Sequence, residues 1–359
     1  MKTVAVLAVA AVALTACGQK PAGQAEQKTS GGSGAGRQQV WAAGSSTVFP
    51  FAAAVADNVA KTTGGQAAKV ESLGTGGGFK LFCGGTGASF PDIANASRPI
   101  KKSEFEQCAA NGVNDIIEIQ IGFDGIVIAN AKTGPTYNLK LDQVYRAVAA
   151  ETPAAQGFAK NAAKTWKDID ASLPAQAILV YGPPPTSGTR DAFVELALEK
   201  GARKLPAMEA LHGSNEDEFK AKAHTLRSDG AWVDSGENDN AIVQTLTKTP
   251  NALGVFGYSF LENNMDQVKA ATIDGVAPTF ETISNGSYPV SRSLYVYVKK
   301  ANLGVTPGLK EFVQAITSDA ATGKQGYLRQ RGLIPLPDAE HAAQKQAVAD
   351  GKTITAPAS

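Results

Sequence analysis

Reactive side chains are scarce in this sequence. Its 359 residues include three cysteines, three histidines, three methionines and three tryptophans. His212, His224 and His341 are scattered, and no ligand spacing joins them to one another or to the cysteines, so no metal site is expected. A serine nucleophile needs a base beside it, and none of these histidines lies in a notable context, so no catalytic residue and no cofactor are assigned. An excess of one charge is missing too: 34 Lys+Arg stand against 33 Asp+Glu. A general nucleic-acid binder is strongly basic; that class is set aside, and any recognition of charge must be local. Beyond the N-terminus no apolar run reaches the roughly 18 residues a membrane-spanning helix needs.

The first residues read as targeting rather than fold. Lys2 precedes an apolar run over 4–13, followed by Leu14-Thr15-Ala16-Cys17. A basic start, a short apolar stretch and small residues make a secretory signal. The ending resembles a bacterial lipobox, so residues 1–16 are expected to be removed and Cys17 lipidated. An ordinary signal cleaved nearby, with Cys17 incidental, is the alternative. Residues 17–37, mostly Gly, Ser, Gln, Ala and Lys, read as a flexible tether. The body is thereby placed in the periplasm or cell envelope, held to a membrane through Cys17. In that oxidising compartment the remaining even pair, Cys83 and Cys108, favours a disulfide over a reduced, buried pair.

What is present is an α/β pattern, with 43% hydrophobic residues to supply a core. Strands are expected over 39–43, 69–73 and 92–96, each followed by a short polar or glycine-rich loop and a helix. Repetition of strand, loop and helix implies a parallel sheet with helices on its faces. Ligands of such sheets bind at the carboxyl ends of the strands. Two apolar, β-branched runs over 116–121 and 125–129, broken by Gly122-Phe123-Asp124, are expected to leave a first domain and start a second. Further strands fall over 177–181, 254–257 and 293–298, and helices over 141–148, 239–247 and 309–316. The chain after Pro337 reads as loose.

Four of the loops carry hydroxyls at a strand-to-helix junction: Ser45-Ser46-Thr47, Gly74-Thr75-Gly76-Gly77-Gly78, Ser97-Arg98, and Thr186-Ser187-Gly188-Thr189-Arg190-Asp191. Each alone has a plain structural reading, as an N-cap, a flexible loop or a solvated arginine. The glycine-rich loop is neither a dinucleotide fingerprint, since Phe79 stands where the third glycine would, nor a phosphate-binding P-loop, since Gly-Lys-Ser/Thr is absent. Together, hydroxyls, backbone N–H groups at helix starts and the guanidiniums of Arg98 and Arg190 are the donors that a small tetrahedral oxyanion takes.

The order Gly-Ser-Ser-Thr-Val, Gly-Thr-Gly-Gly-Gly, Ala-Ser-Arg-Pro, Thr-Trp-Lys-Asp-Ile, Ser-Gly-Thr-Arg-Asp-Ala-Phe, Val-Phe-Gly-Tyr and Tyr-Pro-Val-Ser-Arg resembles the phosphate-binding proteins of bacterial ABC transporters, over residues 39–336. The resemblance implies a class II periplasmic binding fold: two α/β lobes, each a mostly parallel sheet flanked by helices, joined by crossovers, with the anion in the cleft between them. Lobe I would comprise 38–124 and 292–345, lobe II 125–291, and 346–359 a loose tail. Hinges are expected near 122–125 and 291–293. Carried over, the phosphate-binding residues are Ser46, Thr47, the Val48 N–H, Thr75, Ser97, Arg98, Ser187, the Gly188 N–H, Thr189 and Arg190. The implied function is capture of inorganic phosphate and its delivery, by a monomer, to the transmembrane permease subunits of an ABC transporter.

Two departures from that family matter. In one branch the third loop ends in Ser-Asp, whose carboxylate accepts a proton from phosphate; here Arg98 stands there. An arginine expected before Ser-Gly-Thr is replaced by Pro183-Pro184-Pro185. Arg190 and Arg98 are expected to supply the charge, and Asp124, Asp191 and Asp239 are candidate acceptors. The alternatives are a binder of another oxyanion (sulfate, molybdate or tungstate) and a lipid-anchored phosphatase or esterase using Ser187.

Overall fold

Small residues in Trp41-Ala42-Ala43-Gly44 and Ile93-Ala94-Asn95-Ala96, two of the first three strands described, let helices lie close against the sheet. The computed structural model describes residues 38–236 and 239–358. The expected signal at 1–16, the expected lipidation site Cys17 and the expected tether to residue 37 lie outside them. The strand–loop–helix repeat is β1 (Trp41–Gly44), α1 (Phe49–Thr63), β2 (Lys69–Ser72), α2 (Gly74–Phe82), β3 (Ile93–Ala96) and α3 (Lys102–Ala110). β1 pairs in parallel with β2 on one side and β3 on the other. The glycine-rich segment is a helix and not a loop: Gly74 already begins α2. A disulfide joins Cys83, at the end of α2, to Cys108 in α3, with 25 residues of sequence separation. A crosslink of that span restricts the unfolded chain more than the folded one.

β4 (Ile116–Ala131) corrects the expected break at Gly122-Phe123-Asp124. The strand runs unbroken for 16 residues because a partner, Ser291–Lys299, pairs with it antiparallel along its first ten positions. Ser293 stands opposite Phe123 and Arg292 opposite Asp124; a shift of register between Leu294 and Tyr295 absorbs the irregularity. Ile334 bonds the Phe123 backbone in both directions, at 2.7 and 3.0 Å. Ladder bonds gained along both edges outweigh the weak strand preference of glycine. The second half of β4 pairs antiparallel with Leu253–Gly257, which pairs in parallel with Val180–Gly182, itself parallel to Trp232–Asp234.

The buried apolar residues cluster on either side of this crossing. One cluster runs from Phe123 to Val290, with Ile334 and Leu336. Two others draw on residues between Val40 and Leu333 that exclude that span. Residues 346–359, expected loose, do not begin loose: the helix Asp338–Ala349 continues through their start, and the Ile354 N–H reaches the Ile116 carbonyl at 2.9 Å. Ile354 packs on the third cluster, so an apolar contact holds what polarity alone suggested was free. Among the described residues no helix is long and apolar enough to cross a membrane.

Candidate functional site

The turn after β1 and the turn before the helix Gly188–Phe193 face each other across a cavity of about 550 Å³. Ser46, Thr47 and Ser72 wall one side; Thr186, Ser187, Gly188, Thr189 and Asp239 wall the other, and Asp124 of β4 reaches it too. Both turns come from sequence that cannot extend a strand. Gly44 ends β1 at φ +145°, and Pro183-Pro184-Pro185 carries the chain stiffly out of Val180–Gly182.

The two sides touch. The Ser46 hydroxyl donates to the Asp191 carboxylate at 2.5 Å. A β-carbon placed on Gly188 would lie 3.2 Å from both the Ser46 carbonyl oxygen and the Thr47 Cα. Ser187 is the N-cap of its helix, its Oγ accepting from the Thr189 N–H at 3.2 Å, and it also walls the cavity. The helix it starts passes without interruption into a π-helical turn, Val194–Glu199, a local widening often found beside functional sites.

Several expected site residues are held elsewhere. The Val48 N–H points back to Ser45 Oγ at 3.4 Å and its side chain is buried. Thr75 and Ser97 satisfy each other: the Ser97 N–H donates to Thr75 Oγ1 at 3.1 Å, and the two hydroxyls lie 3.0 Å apart. Neither walls the cavity. Arg98, expected to bring charge to the anion, makes a two-pronged bridge to Glu104 at 2.7 and 2.8 Å and lies over the Phe79 ring. Arg190 donates to the Pro183 carbonyl at 2.9 Å and to Asp234 at 2.8 Å, and covers the Trp232 ring at 4.8 Å. Arg190 therefore ties the proline turn to the strand beside it.

The bridge has a measurable consequence. Burial alone would raise the Glu104 carboxyl, but the hydrogen bond and charge of Arg98 and the Lys101 N–H outweigh it and hold it below the usual range. Arg98→Ala is expected to cost about 1 kcal/mol at neutral pH, since the pair is partly exposed and screened. A depressed carboxyl stabilises above the unfolded pKa and loses that stabilisation as pH falls, so the gap between variant and wild type should close on acidification. Anion affinity should change by less than about threefold, because the guanidinium faces Glu104. Denaturant melts at two pH values and a titration check both; a tenfold affinity loss would return Arg98 to the site.

Sequence reasoning missed two guanidiniums: Arg331 walls the cavity itself, and Arg292 bonds one of its walls without lining it. Arg292 donates through Nη2 to Thr47 Oγ1 at 2.6 Å, pairs through Nη1 with the Glu195 carboxylate, and brings Nε within 3.5 Å of Asp124 Oδ2. Its place in Tyr288-Pro289-Val290-Ser291-Arg292 was visible, but the segment reads as a hinge until the Arg292–Asp124 register is known. Burial pushes the Asp124 carboxyl above its usual range, and the Arg292 charge opposes the shift without cancelling it. Asp239 is also buried, its Oδ2 accepting from the Gly257 N–H at 3.3 Å.

Two packed α/β halves, joined by paired strands and presenting hydroxyls and carboxylates to one cleft, define a binding protein that takes a small polar ligand between its halves. The chain belongs to the PBP superfamily, the periplasmic binding proteins, whose domain model matches residues 29–320. It is 32% identical over 333 residues to protein SphX of Synechococcus elongatus, covering 89% of this chain and 84% of that one. It is 29% identical to the phosphate-binding protein PstS of Staphylococcus saprophyticus, covering 89% of this chain and 86% of that one. The crystal structure of a possible phosphate-binding protein from Planctomyces limnophilus superposes with a TM-score of 0.70 at 28% identity, over 88% of this chain and 99% of that one.

Proposed function

We propose that this protein binds inorganic phosphate in the cell envelope and hands it to the permease of an ABC transporter. The carrying observation is the convergence of Ser46 and Thr47 from one half, and Thr186–Thr189 from the other, on one cavity. Such donors suit the oxygens of a tetrahedral anion, and relatives of similar length are named phosphate-binding proteins. Lobe I would be 38–124 with 292–345 and lobe II 125–291, rocking about the paired positions Gly122–Gly125 and Ser291–Leu294. Capture closes the lobes and docking on the permease reopens them. The protein acts as a monomer, anchored through a lipid on Cys17.

Asp124 and Asp239 on the cavity wall favour phosphate over sulfate in this reading. A carboxylate accepts from an oxyanion that keeps a proton and repels one that has none. A hydrolase using Ser187 is the weaker reading: its Oγ serves as an N-cap acceptor, and the described residues walling the cavity include no histidine.

Calorimetric titration of the apo-protein with phosphate, with excess sulfate present, tests the proposal. Micromolar or tighter binding that survives the sulfate is expected. Equal affinity for sulfate would overturn the phosphate assignment, and turnover of a chromogenic phosphate ester lost in Ser187→Ala would favour the hydrolase.

A further inference from the structure

Arg292 contacts both sides of the cleft and the strand between them. It reaches Thr47 on one side and Glu195, in the π-helical turn of the other, while its cross-strand neighbour Asp124 sits on β4. Its side chain is 9% exposed, and Thr47 is buried on the cavity wall. We infer that Arg292 is a positioning residue that makes the Thr47 hydroxyl an obligatory donor to the bound anion.

The argument rests on the hydroxyl's single proton. A threonine Oγ1 can accept or donate, and an unconstrained hydroxyl rotates between the two. Here the guanidinium donates to Oγ1, and arginine has no acceptor capacity to exchange roles. One of the oxygen's two lone pairs is thus taken and its proton is turned away from the guanidinium, left for an acceptor on the cavity side. An anion oxygen in the cleft is that acceptor. The hydroxyl pays no reorientation cost when the anion arrives, which is the advantage of preorganised donors.

The guanidinium is itself fixed. Glu195 holds Nη1 and Asp124 flanks Nε, while Lys200, whose ammonium donates to the Pro289 carbonyl at 2.7 Å, faces the cluster from the next turn. Two carboxylates around one guanidinium leave little net charge to offer the anion. The contribution of Arg292 is therefore directional, through Thr47, more than coulombic. Because Glu195 belongs to the helix that starts at Gly188, the same contact links the Thr47 donor to the position of the opposite wall.

A double-mutant cycle tests this, and it rests on the anion-binding reading above. Phosphate and sulfate are titrated in parallel into wild type, Arg292→Lys, Thr47→Val and the double variant, with Thr47→Ser as the variant that keeps the hydroxyl. Each of the two single changes should weaken binding about tenfold or more, and the double variant should be no weaker than the worse single. Thr47→Ser should stay within threefold of wild type. Losses that multiply would show that Arg292 acts independently of Thr47 and would overturn the inference.

Should Arg292→Lys fail to fold, Glu195→Gln replaces it, since Glu195 is half-exposed and its change loosens the guanidinium without removing it. That change should weaken binding several-fold in wild type and leave Thr47→Val unaltered; an equal loss in both backgrounds overturns the inference. Phosphate failing to bind wild type while sulfate does would sink the phosphate assignment alone, and the cycle would then be judged on sulfate. Binding of neither anion would sink both.

Discussion

Replacing Gly188 with valine should weaken phosphate binding at least about 100-fold while leaving the melting temperature within a few degrees of wild type. A β-carbon at 188 already sits 3.2 Å from the Ser46 carbonyl oxygen and from the Thr47 Cα, both backbone atoms of the opposite wall. Those atoms cannot swing aside as a long side chain would. Valine's two γ-carbons extend the clash, and the least costly relief is to part the walls by an ångström or more. Donors that must converge on one small anion are then out of register, and in catalysis, where geometry is equally demanding, a misplacement of about 1 Å can cost around 10²-fold. The fold itself has little at stake, because Gly188 starts a helix at the cleft and its substitution leaves the three apolar clusters intact. Titration paired with a thermal melt reads the two effects separately. Binding within threefold of wild type would mean that the walls need not approach as closely as drawn, and that the anion sits elsewhere.

How much of this was legible beforehand depends on the range of the interactions. Repeated strand, loop and helix gave β1 to α3 to within a few residues, because hydrophobic period and local turn chemistry decide them, except that α2 starts at Gly74, inside the stretch expected as a loop. Ser46, Thr47 and Ser187–Thr189 reach the cleft as expected, since the carboxyl end of a parallel strand places its following turn there. The arginines were misread for one reason. A guanidinium finds whichever carboxylate the fold brings near, and Glu104 lies only six residues from Arg98 while Asp234 lies 44 from Arg190. Arg292 shows the converse: its partners Thr47, Asp124 and Glu195 are distant in sequence, and only the pairing of β4 with Ser291–Lys299 assembles them. The break expected at Gly122 failed likewise, because a strand's continuity is fixed by what pairs with it. Side-chain commitments across the sheet are not written in any local window.

The glycines of Gly74-Thr75-Gly76-Gly77-Gly78 carry the second large effect, and they separate close packing from flexibility. Gly78→Ala should cost at least about 4 kcal/mol or prevent folding, whereas Gly76→Ala, two residues away, should be neutral or stabilising by roughly 0.5–1 kcal/mol. At Gly78 a β-carbon would lie 2.4 Å from the Gly44 Cα and 2.8 Å from the Ala43 carbonyl oxygen, so α2 rests directly on the end of β1. Gly44 is the other half of that contact. A β-carbon there would meet the Asn95 carbonyl oxygen at 2.1 Å, the same oxygen that accepts the Ser45 N–H at 2.8 Å. Gly44→Ala should therefore be as damaging as Gly78→Ala, and its φ of +145° adds backbone strain. Gly76, by contrast, has open space around its missing β-carbon and sits inside α2, where alanine is the better helix former. Denaturant midpoints of the three variants decide the matter. If Gly78→Ala proved as stable as Gly76→Ala, the run would be serving mobility, and the Ser45–Thr47 turn would lose the rigid backing that holds its hydroxyls toward the cleft.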